Sequence, residues 1–414
     1  MSRPHECDVL IVGAGPAGLA AAYRAARAGR HAVVVDDNPE AGGQIWRGEQ
    51  REPRSREAQV WLERVRSVDI EYHAGSRVFH QIDQRVLLAE TSSGVRELRF
   101  ENLVMATGAR ERFLPFPGWT LPNVVGAGGL QALVKNGLPV DRKKIVIAGS
   151  GPLLLAVADY LRVHSAEVLL VAEQAPQHRV ARFGLGLINN PGKLSQALAF
   201  LKGGKYLTDC WVIAAHGDET LKSVVLRRGR KSWSVSCDYL ACGFHLVPNL
   251  ELAELLGCEI ENGAVRIDDF QQTSVSRVYA AGETTGIGGL ELSLIEGEIA
   301  GLAAAGHRDD ARRLFPERAK HRRFADLLNR TFALRRELKS LAAAETIVCR
   351  CEDVVFDRLR AHDSWRTAKL QTRCGMGPCQ GRICGSAVEF LFGWKAESVR
   401  PPVLPVRVES LITK

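Results

Sequence analysis

The residues of this sequence best suited to chemistry are five cysteines close to its C-terminal end. In "IVCRCEDV", Cys349 and Cys351 form a C-x-C pair, and "TRCGMGPCQGRIC" follows with Cys374, Cys379 and Cys384. Thiolates are ligands for Zn²⁺ and for iron–sulfur clusters. Four of them suit either a [2Fe–2S] cluster or one Zn²⁺ ion. The spacing alone leaves both open, although the C-x2-C pairs typical of a zinc ribbon are absent from the sequence.

Helical segments surround these cysteines. The stretch "GMGPCQGRICGSAVEFLFG" is typical of a glycine loop that leads into a helix, whose first amides can donate to thiolate sulfurs and lower the thiol pKa. Residues 309–343 before the cysteines are rich in Ala, Arg, Leu and Glu, with apolar residues at helical spacing. We therefore predict a helical linker followed by a small α-helical module.

The glycines of "CDVLIVGAGPAGLAAAYRAARAG" have the GxGxxG spacing of a dinucleotide site. Gly13 lets the chain turn sharply, Gly15 lets a pyrophosphate approach the backbone, and Gly18 lets the helix pack closely on the strand. A second strand, "HAVVVDD", leads to Asp36, where an acid can hydrogen-bond a ribose hydroxyl. The strand, the turn, the helix, the second strand and the acid occur in the order expected of a dinucleotide site. This order favours a nucleotide site over an ordinary glycine turn.

A second copy of this pattern lies in "KKIVIAGSGPLLLAVADYLRVHSAEVLLVAEQ". Gly149 and Gly151 match the first two fingerprint glycines, but Leu154 occupies the third position. A leucine there is expected to push the helix from the strand and narrow the pyrophosphate seat. The acid is also displaced, because Ala172 aligns with Asp36 of the first copy. We predict a domain that keeps its shape without productive use of NAD(P)H.

Composition sets the broad class. The chain has 414 residues, a hydrophobic fraction of 46% and a net charge of +8, with basic residues scattered along it. We expect a globular protein of two or three domains with no nucleic-acid partner and no transmembrane segment. The sequence begins without a targeting signal, and clustered cysteines suit a reducing compartment. We expect a cytoplasmic protein that can attach peripherally to the inner membrane face through partners.

The sequence lacks some motifs that would indicate a specific catalytic mechanism. The sequence has no CxxC or CxxxxC pair near the flavin-binding stretches, so a thioredoxin-reductase mechanism is not expected. His245, Arg110 and Arg112 have structural or phosphate-binding explanations as good as catalytic ones. No catalytic residue is therefore assigned.

Three further stretches favour FAD at the first site: "EAGGQIW" (40–46), "LVMATGARER" (103–112) and "VYAAGETTGIGG" (278–289). Their order resembles the flavoproteins with two dinucleotide-binding domains. In that superfamily the acid after the last strand holds the ribityl chain, and the next helix directs its positive end at the flavin. The usual acid is Asp, and here it is Glu283. The predicted cofactor-binding residues are Gly13, Gly15, Pro16, Ala17, Gly18, Asp36, Asp37, Gly43, Gln44, Ala106, Thr107, Gly108, Gly282 and Glu283.

The cysteine-rich stretches "VCRCEDV" and "TRCGMGPCQGRIC" resemble the bacterioferritin-associated-ferredoxin type of [2Fe–2S] domain. Together with "GAGPAGL", "ATGARERFLPFPGWTLPNVVGAGGLQ", "GFHLVPN" and "GIGGLELSLIEGEIAG", they resemble one family over nearly the whole chain. It is the FAD-binding α subunit of heteromeric amino-acid dehydrogenases: opine oxidase, D-hydroxyproline dehydrogenase, dye-linked L-proline dehydrogenase and hydrogen cyanide synthase. The resemblance implies the cluster ligands Cys349, Cys351, Cys379 and Cys384, with Cys374 in place of Cys384 as the alternative.

This resemblance also implies a function and partners. A β subunit resembling glycine or sarcosine oxidase would oxidise an amino or imino acid, such as D-hydroxyproline, an opine, proline or glycine. The present chain would relay electrons to a quinone or a soluble carrier, in some relatives with a small ferredoxin-like γ subunit. Some relatives hold another adenine nucleotide at the FAD-type site and an FMN at a subunit interface. Two alternatives are a stand-alone NAD(P)H-dependent FAD/[2Fe–2S] reductase and a metal-binding or structural module.

The expected fold is α/β, with two Rossmann-like dinucleotide-binding domains of the glutathione-reductase-like flavoprotein type and a small α-helical C-terminal [2Fe–2S] domain. The predicted domains are an FAD-binding domain (1–120 and 255–308), a second, NAD-type domain (121–254), a helical linker (309–345), the cluster domain (346–398) and a tail (399–414).

Overall fold

The computed structural model describes residues 5–187, 192, 193, 195, 199, 203–396 and 399–412. The chain forms two compact units. The first unit comprises Met1–Arg110, Val247–Asp326 and Ser398–Lys414, and the second comprises Glu111–Leu246 and Leu327–Glu397. The predicted FAD-binding domain begins within residues 1–4, the predicted cluster domain ends at residue 398 and the predicted tail ends at residues 413–414. These positions lie outside the described residues. The domain boundaries drawn from the sequence stay predictions.

The first unit is built on a mixed sheet. The strands of this sheet are β1 (His5–Val12), β2 (Ala32–Val35), β3 (Ile70–His73), β4 (Arg77–Asp83), β5 (Val86–Thr91), β6 (Gly94–Met105) and β19 (Val278–Ala280). Two further strands of the unit, β17 (Ile260–Glu261) and β18 (Ala264–Val265), form a separate two-stranded sheet. The order of the mixed sheet is β3-β2-β1-β6-β5-β4, and β19 also pairs with β6. Strands β3, β2, β1, β6 and β19 run parallel, as a Rossmann fold requires, and β4 and β5 add an antiparallel hairpin.

The helices of this unit are α1 (Pro16–Arg27), α2 (Arg56–Arg66), α6 (Glu251–Leu255), α7 (Leu290–Ala304), α8 (Arg308–Arg312) and α13 (Val408–Ile412). Helix α7 is buried almost all round, and apolar residues lie on all its faces, with Glu296 and Glu298 buried among them. It packs closely on α1 through two glycines. A Cβ on Gly297 would lie 2.1 Å from the carbonyl oxygen of Ala17, and one on Gly301 would lie 2.2 Å from that of Ala21.

The second unit contains a parallel sheet in the order β11-β10-β9-β15-β8 and an antiparallel sheet in the order β12-β13-β14. Its strands are β8 (Val124–Gly126), β9 (Lys144–Ser150), β10 (Glu167–Glu173), β11 (Tyr206–Leu207), β12 (Cys210–Gly217), β13 (Leu221–Arg228), β14 (Lys231–Ser236), β15 (Tyr239–Phe244), β20 (Ile347–Cys349) and β21 (Val354–Val355). Its helices are α3 (Ala127–Lys135), α4 (Leu153–Val163), α5 (Gln177–Gly186), α10 (Phe356–Arg360), α11 (Trp365–Thr372) and α12 (Cys384–Phe392).

Three elements lie where the chain passes between the units: β7 (Ala109–Glu111), β16 (Leu246–Pro248) and α9 (Phe315–Thr331). Short 3-10 helices occur at Gly282–Thr285 and Arg336–Ser340. The cysteine-rich module has its own small core, in which Val348, Val354, Leu359 and Val388 are buried. Within the described ranges, no helix combines the length and the apolar composition needed to cross a membrane.

Candidate functional site

The first glycine turn, between β1 and α1, has the close packing that the fingerprint predicts. Gly13 has φ +107°, and a Cβ there would lie 2.2 Å from the carbonyl oxygen of Ala106. A Cβ on Gly18 would lie 1.8 Å from the carbonyl oxygen of Gly13. Pro16 opens the helix, a position where its missing N–H costs no hydrogen bond. The turn therefore admits no side chain at Gly13 or Gly18. It leaves the amides of the α1 N-terminus free of intrahelical partners, as a phosphate site requires.

A second glycine loop lies against this turn. Gly43 has φ +60°, and a Cβ there would lie 2.9 Å from the Cα of Gly15. The Gly42 N–H donates to the carbonyl of Ala14 at 2.8 Å. The structure thus brings the "EAGGQIW" stretch to the pyrophosphate turn. Gln44, also predicted to bind the cofactor, is exposed in the same loop.

Asp36, at the end of β2, is 7% exposed. Its Oδ2 accepts the Ala14 N–H at 2.5 Å, and its Oδ1 accepts the backbone N–H of Asn38 at 2.7 Å. The carboxylate therefore fixes the glycine turn directly, and its remaining lone pairs are what it can offer a ribose. Asp37 beside it is exposed.

Asn249 connects the predicted flavin stretches of the first unit. Its side-chain amide donates to the Thr107 carbonyl at 2.8 Å, and its own carbonyl accepts the hydroxyls of Thr107 and Thr284 at 2.9 and 3.2 Å. Its side-chain oxygen accepts a hydrogen bond from Arg110 at 2.7 Å. Asn249 appears in the sequence only within the stretch "GFHLVPN", which gave no sign of these contacts.

Glu283 follows β19, in the 3-10 helix at the N-terminal side of α7. Its side chain is half-buried, and burial raises its pKa to about 7. Gly282 has φ +76°, and a Cβ there would lie 2.8 Å from the Cβ of Ala17. The predicted residues Gly282 and Glu283 are thus held against α1, the helix whose N-terminus forms the phosphate site.

Glu296 on α7 is a buried carboxylate that the sequence did not single out. It accepts hydrogen bonds from the Gly282 N–H at 3.2 Å and from the Thr285 hydroxyl at 2.8 Å. Arg322 forms an ion pair with it at 3.1 Å. Burial nevertheless raises the pKa of Glu296, against the lowering effect of Arg322. This carboxylate positions the 3-10 helix that carries Glu283.

The cysteine-rich module surrounds a cavity of about 230 Å³. Its lining contains all four predicted ligands, together with four other residues: Cys349, Cys351, Cys379, Cys384, Phe113, Trp119, Arg350 and Ile383. Cys349 and Cys384 are each 1% exposed, whereas Cys351 is exposed to solvent. A cavity with one buried and one accessible side is therefore bordered by four sulfurs.

The structure brings the cysteines together in two groups. The sulfurs of Cys349, Cys374 and Cys384 lie within 4.8 Å of one another. The Cys379 N–H donates to the sulfur of Cys351, and the two side chains are also hydrogen-bonded. Hydrogen bonds from Cys374 and Cys384 lower the pKa of Cys349 to about 2. Which four cysteines bind the cluster stays a prediction, because each of the two groups contains predicted ligands.

Trp119 forms part of the cavity wall, and the sequence gave no indication of this role. It is 3% exposed, and its indole N–H donates to the Ile347 carbonyl at 2.5 Å, which ties it to the strand that carries Cys349. The Arg350 guanidinium lies 5.5 Å from the Trp119 ring centroid. The sequence "FPGWTLPN" contained the residue but gave no sign of its long-range partner.

The second glycine turn has different surroundings. Glu173 is fully buried, and its carboxylate accepts the N–H groups of Gly151 and Ala175 at 2.7 Å each. Burial raises its pKa to about 7 in spite of these bonds. Leu154, at the third fingerprint position, is also fully buried, and its Cδ2 would lie 3.0 Å from a Cβ on Gly243. Glycine on the neighbouring strand thus makes room for the leucine.

The chain itself covers this second turn. The Ser150 hydroxyl donates to the Phe332 carbonyl at 2.6 Å, and a Cβ on Gly151 would lie 3.9 Å from the Phe332 side chain. Gln174, at the end of β10, accepts the Arg335 N–H at 3.0 Å. The segment Phe332–Arg335 therefore lies over the glycine turn where a pyrophosphate would otherwise approach.

Comparison with known proteins gives the family. The sequence matches the family model described as pyridine nucleotide-disulphide oxidoreductase over residues 7–305. The chain belongs to this family. Membership confirms the α/β flavoprotein fold and makes the chain an FAD-dependent oxidoreductase.

Curated relatives of this family member cover almost its full length. It is 33% identical to hydrogen cyanide synthase subunit HcnB of Pseudomonas aeruginosa, over 91% of this chain and 90% of that one. It is 29% identical to an opine oxidase subunit from Agrobacterium tumefaciens, over 98% of this chain and 91% of that one. The resemblance found in the sequence motifs is confirmed. Both relatives are named as subunits.

Solved structures agree on the fold. The L-proline dehydrogenase from P. horikoshii matches with a TM-score of 0.69 at 17% identity, over 100% of this chain and 81% of that one. The thioredoxin reductase of T. acidophilum matches with a TM-score of 0.56 at 18% identity, over 73% of this chain and 98% of that one. At these identities the likeness concerns the fold alone.

Proposed function

We propose that this chain is the electron-transferring flavoprotein and iron–sulfur subunit of a heteromeric dehydrogenase that oxidises an amino or imino acid. The observation that carries the proposal is the cavity bordered by Cys349, Cys351, Cys379 and Cys384 in a chain that also has a complete flavoprotein nucleotide turn. The relatives named as subunits of hydrogen cyanide synthase and opine oxidase support it.

The cysteine residues fit a [2Fe–2S] cluster. Four thiolates match the ligand count of such a cluster, and they border one common cavity. The N–H groups of Gly375 and Glu352 donate to the Cys349 sulfur, as peptide groups around cluster ligands do. A Cβ on Gly377 would lie 2.3 Å from the Cβ of Cys351, so glycine there makes room for the ligand.

The two groups would supply complementary chemistry, because a flavin can take up two electrons together and give them up one at a time, and a [2Fe–2S] cluster carries single electrons. The chain's residues have distinct tasks around them. Asp36 and the glycine turn would hold the nucleotide end of the flavin, and Asn249 fixes the Thr107 and Thr284 segments. Around the cysteines, Phe113, Trp119 and Ile383 exclude water on one side. Cys351 provides the accessible side from which an electron can leave.

The substrate class follows from the relatives' names rather than from this chain. Opine oxidase acts on opines, which supports an opine or a related amino or imino acid, including D-hydroxyproline, proline and glycine. We assign the oxidation itself to a partner β subunit resembling glycine or sarcosine oxidase. A small γ subunit, an FMN at a subunit interface and a quinone or soluble acceptor complete the proposal.

The test is activity of the chain alone and with its β partner. Both are purified under argon, and reduction of a dye is followed with proline, hydroxyproline, glycine and opines as substrates. We expect the complex to reduce the dye and the isolated chain to be inactive, with about two iron atoms per chain. Strong amino-acid oxidation by the isolated chain would contradict the division of labour.

A matched pair of cysteine variants separates the cluster from general folding. Cys351→Ser removes a predicted ligand at the accessible side, whereas Cys258→Ser alters a buried cysteine of the first unit. We expect iron loss in the first variant and an unchanged iron content in the second. A colourless wild-type protein that binds one Zn²⁺ would instead support the metal-binding module.

A stand-alone NAD(P)H-dependent reductase is the second candidate, and the positive φ angles of Gly149 and Gly151 favour it, because they preserve a phosphate-type turn. Against it, Glu173 takes the Gly151 N–H, and the Phe332–Arg335 segment covers the turn. We therefore expect NADH and NADPH to leave the flavin oxidised under argon. Rapid bleaching of the flavin absorbance would restore this candidate.

A further inference from the structure

The fifth cysteine, Cys374, has no task in the proposed ligand set. We propose that Cys374 stays outside the iron ligands and donates its S–H to the sulfur of Cys349, and that this hydrogen bond raises the reduction potential of the cluster. The inference rests on the proposed function, in which four other cysteines hold the cluster.

The position of Cys374 separates it from those four. Its sulfur lies within 4.8 Å of the sulfurs of both Cys349 and Cys384. It is fully buried, yet it is not among the described residues that line the cavity, whereas Cys349 and Cys384 are. Cys374 therefore contacts the ligand sulfurs of the buried side without bordering the space that the cluster would fill.

Local structure fixes Cys374 in this place. Helix α11 ends at Thr372, and Arg373 takes the left-handed conformation with φ +65°. The Thr372 hydroxyl accepts the Cys374 N–H at 3.2 Å and donates to the Ala368 carbonyl at 2.6 Å. Gly375 follows with φ +80°, and a Cβ there would lie 2.8 Å from the Trp365 ring. The turn is thus held on both sides of the cysteine.

The effect of this hydrogen bond on the midpoint potential of the cluster has a definite sign. Reduction adds negative charge to the cluster and its sulfur ligands, and a hydrogen-bond donor stabilises the more negative form. A thiol is a weak donor, but in a buried site it competes with no water. Removing the donor should therefore make the reduced cluster less stable and shift the midpoint potential to a more negative value.

The experiment compares Cys374→Ala and Cys374→Ser in the full chain, with Cys242→Ala as a control at a buried cysteine outside the module. Iron and sulfide are determined per chain, and the midpoint potential is measured by anaerobic titration followed by electron paramagnetic resonance. We expect all three variants to keep the wild-type iron content. We expect a negative shift for Cys374→Ala, a smaller one for Cys374→Ser because a hydroxyl also donates, and none for Cys242→Ala.

Two results would overturn the inference. Loss of iron from both Cys374 variants, with iron retained by Cys384→Ala, would show that Cys374 is a ligand. Full iron content with unchanged potential and resonance signal in Cys374→Ala would show that it donates no hydrogen bond that matters. A wild-type protein without iron would instead defeat the proposed function, so the two failures are distinguishable.

Discussion

At the scale of single residues, the two glycines of α7 that face α1, Gly297 and Gly301, are sensitive positions of the first unit. A Cβ on Gly297 would meet backbone, which cannot move aside as a flexible side chain can. We expect Gly297→Ala to lower the free energy of unfolding by about 1–3 kcal/mol and to weaken flavin retention. Urea unfolding followed by flavin fluorescence measures both.

Gly184→Ala is the matched control for this substitution. Gly184 also lies in a helix, α5, but nothing would lie within 4 Å of an added Cβ there. Alanine there should stabilise the helix by about 0.5–1 kcal/mol. Equal unfolding midpoints for the two variants would show that the backbones of α1 and α7 can separate at little cost.

Glu283 gives a pH dependence at the same scale. Its pKa is raised by burial from 4.5 to about 7, so between these pH values the folded protein binds a proton that the unfolded chain has lost. The stability of the flavin-free protein should therefore fall as pH rises through this window. Glu283→Gln cannot ionise, and we expect it to be more stable than wild type at pH 8 by about 1–2 kcal/mol, but not at pH 5.

Urea titrations of both proteins at pH 5 and pH 8 measure this difference. Glu101→Gln, at an exposed carboxylate of the same unit, should not reproduce it. A constant difference between wild type and Glu283→Gln across the two pH values would show that the carboxyl ionises normally in the fold.

Sequence reasoning at the residue scale works where function depends on local geometry. Gly13 and Gly18 are identifiable because a fixed spacing on a strand–turn–helix unit forces close backbone contacts. Asn249 and Phe332 are not identifiable, because their partners lie far away in sequence and any polar or apolar residue has the same local signal. For the cysteines, spacing shows that sulfurs gather, but the choice between Cys374 and Cys384 depends on which side chain faces the cavity.

At the scale of elements, helix α3 depends on a carboxylate from outside the helix. Its Ncap residue is Gly126, which offers no side-chain cap, and Glu111 instead accepts the N–H groups of Gly128 and Gly129 at 2.8 and 3.0 Å. A Cβ on Gly126 would lie 2.2 Å from the Glu111 carboxylate, so glycine makes room for this contact. The carboxylate also suits the positive end of the helix.

We expect Glu111→Ala to lower the free energy of unfolding by about 1–3 kcal/mol, since two partly buried amide donors lose their acceptor. Glu111→Gln keeps one carbonyl acceptor and should cost less. Urea unfolding followed by tryptophan fluorescence measures both, with Glu345→Ala at an exposed position as the control. Equal effects of Ala and Gln would mean that the cap contributes through packing rather than hydrogen bonding.

Helices and strands can be predicted from the sequence where the period of the apolar residues is clear. The strands "DVLIV" and "KIVIA" are apolar runs buried within parallel sheets, and both were predicted as the first strands of Rossmann units. The segment after α9 is harder to predict from the sequence. Phe332–Arg335 has no regular period of apolar residues, and its path depends on contacts with Ser150 and Gln174. A loop that fills a site cannot be distinguished from an ordinary loop by composition.

At the scale of the whole molecule, the cysteine-rich module belongs to the same compact unit as the second Rossmann fold. Trp119, which precedes β8 of that fold, borders the cysteine cavity and bonds to Ile347. Leu338 and Leu341 lie in the core that also contains β12 and β13. The second fold therefore supports the cysteine site physically, which gives it a structural task that needs no nucleotide.

This arrangement predicts how electron flow responds when the cluster is removed. In the complex, Cys379→Ser should remove iron while leaving the first unit, and thus flavin binding, intact. We expect the amino-acid substrate still to bleach the flavin absorbance under argon, because the partner subunit carries out the oxidation. Reduction of a one-electron acceptor such as ferricyanide should fall by about tenfold or more, since single electrons then lack their route out.

Stopped-flow absorbance gives the bleaching rate, and steady-state assays give the acceptor rate. Cys210→Ser is the control, because Cys210 is fully buried in the core of the same unit and away from the cavity. Loss of flavin bleaching in Cys379→Ser would mean that the cluster supports the oxidation step itself. An unchanged ferricyanide rate would mean that electrons leave from the flavin, and the cysteine site would then need another explanation.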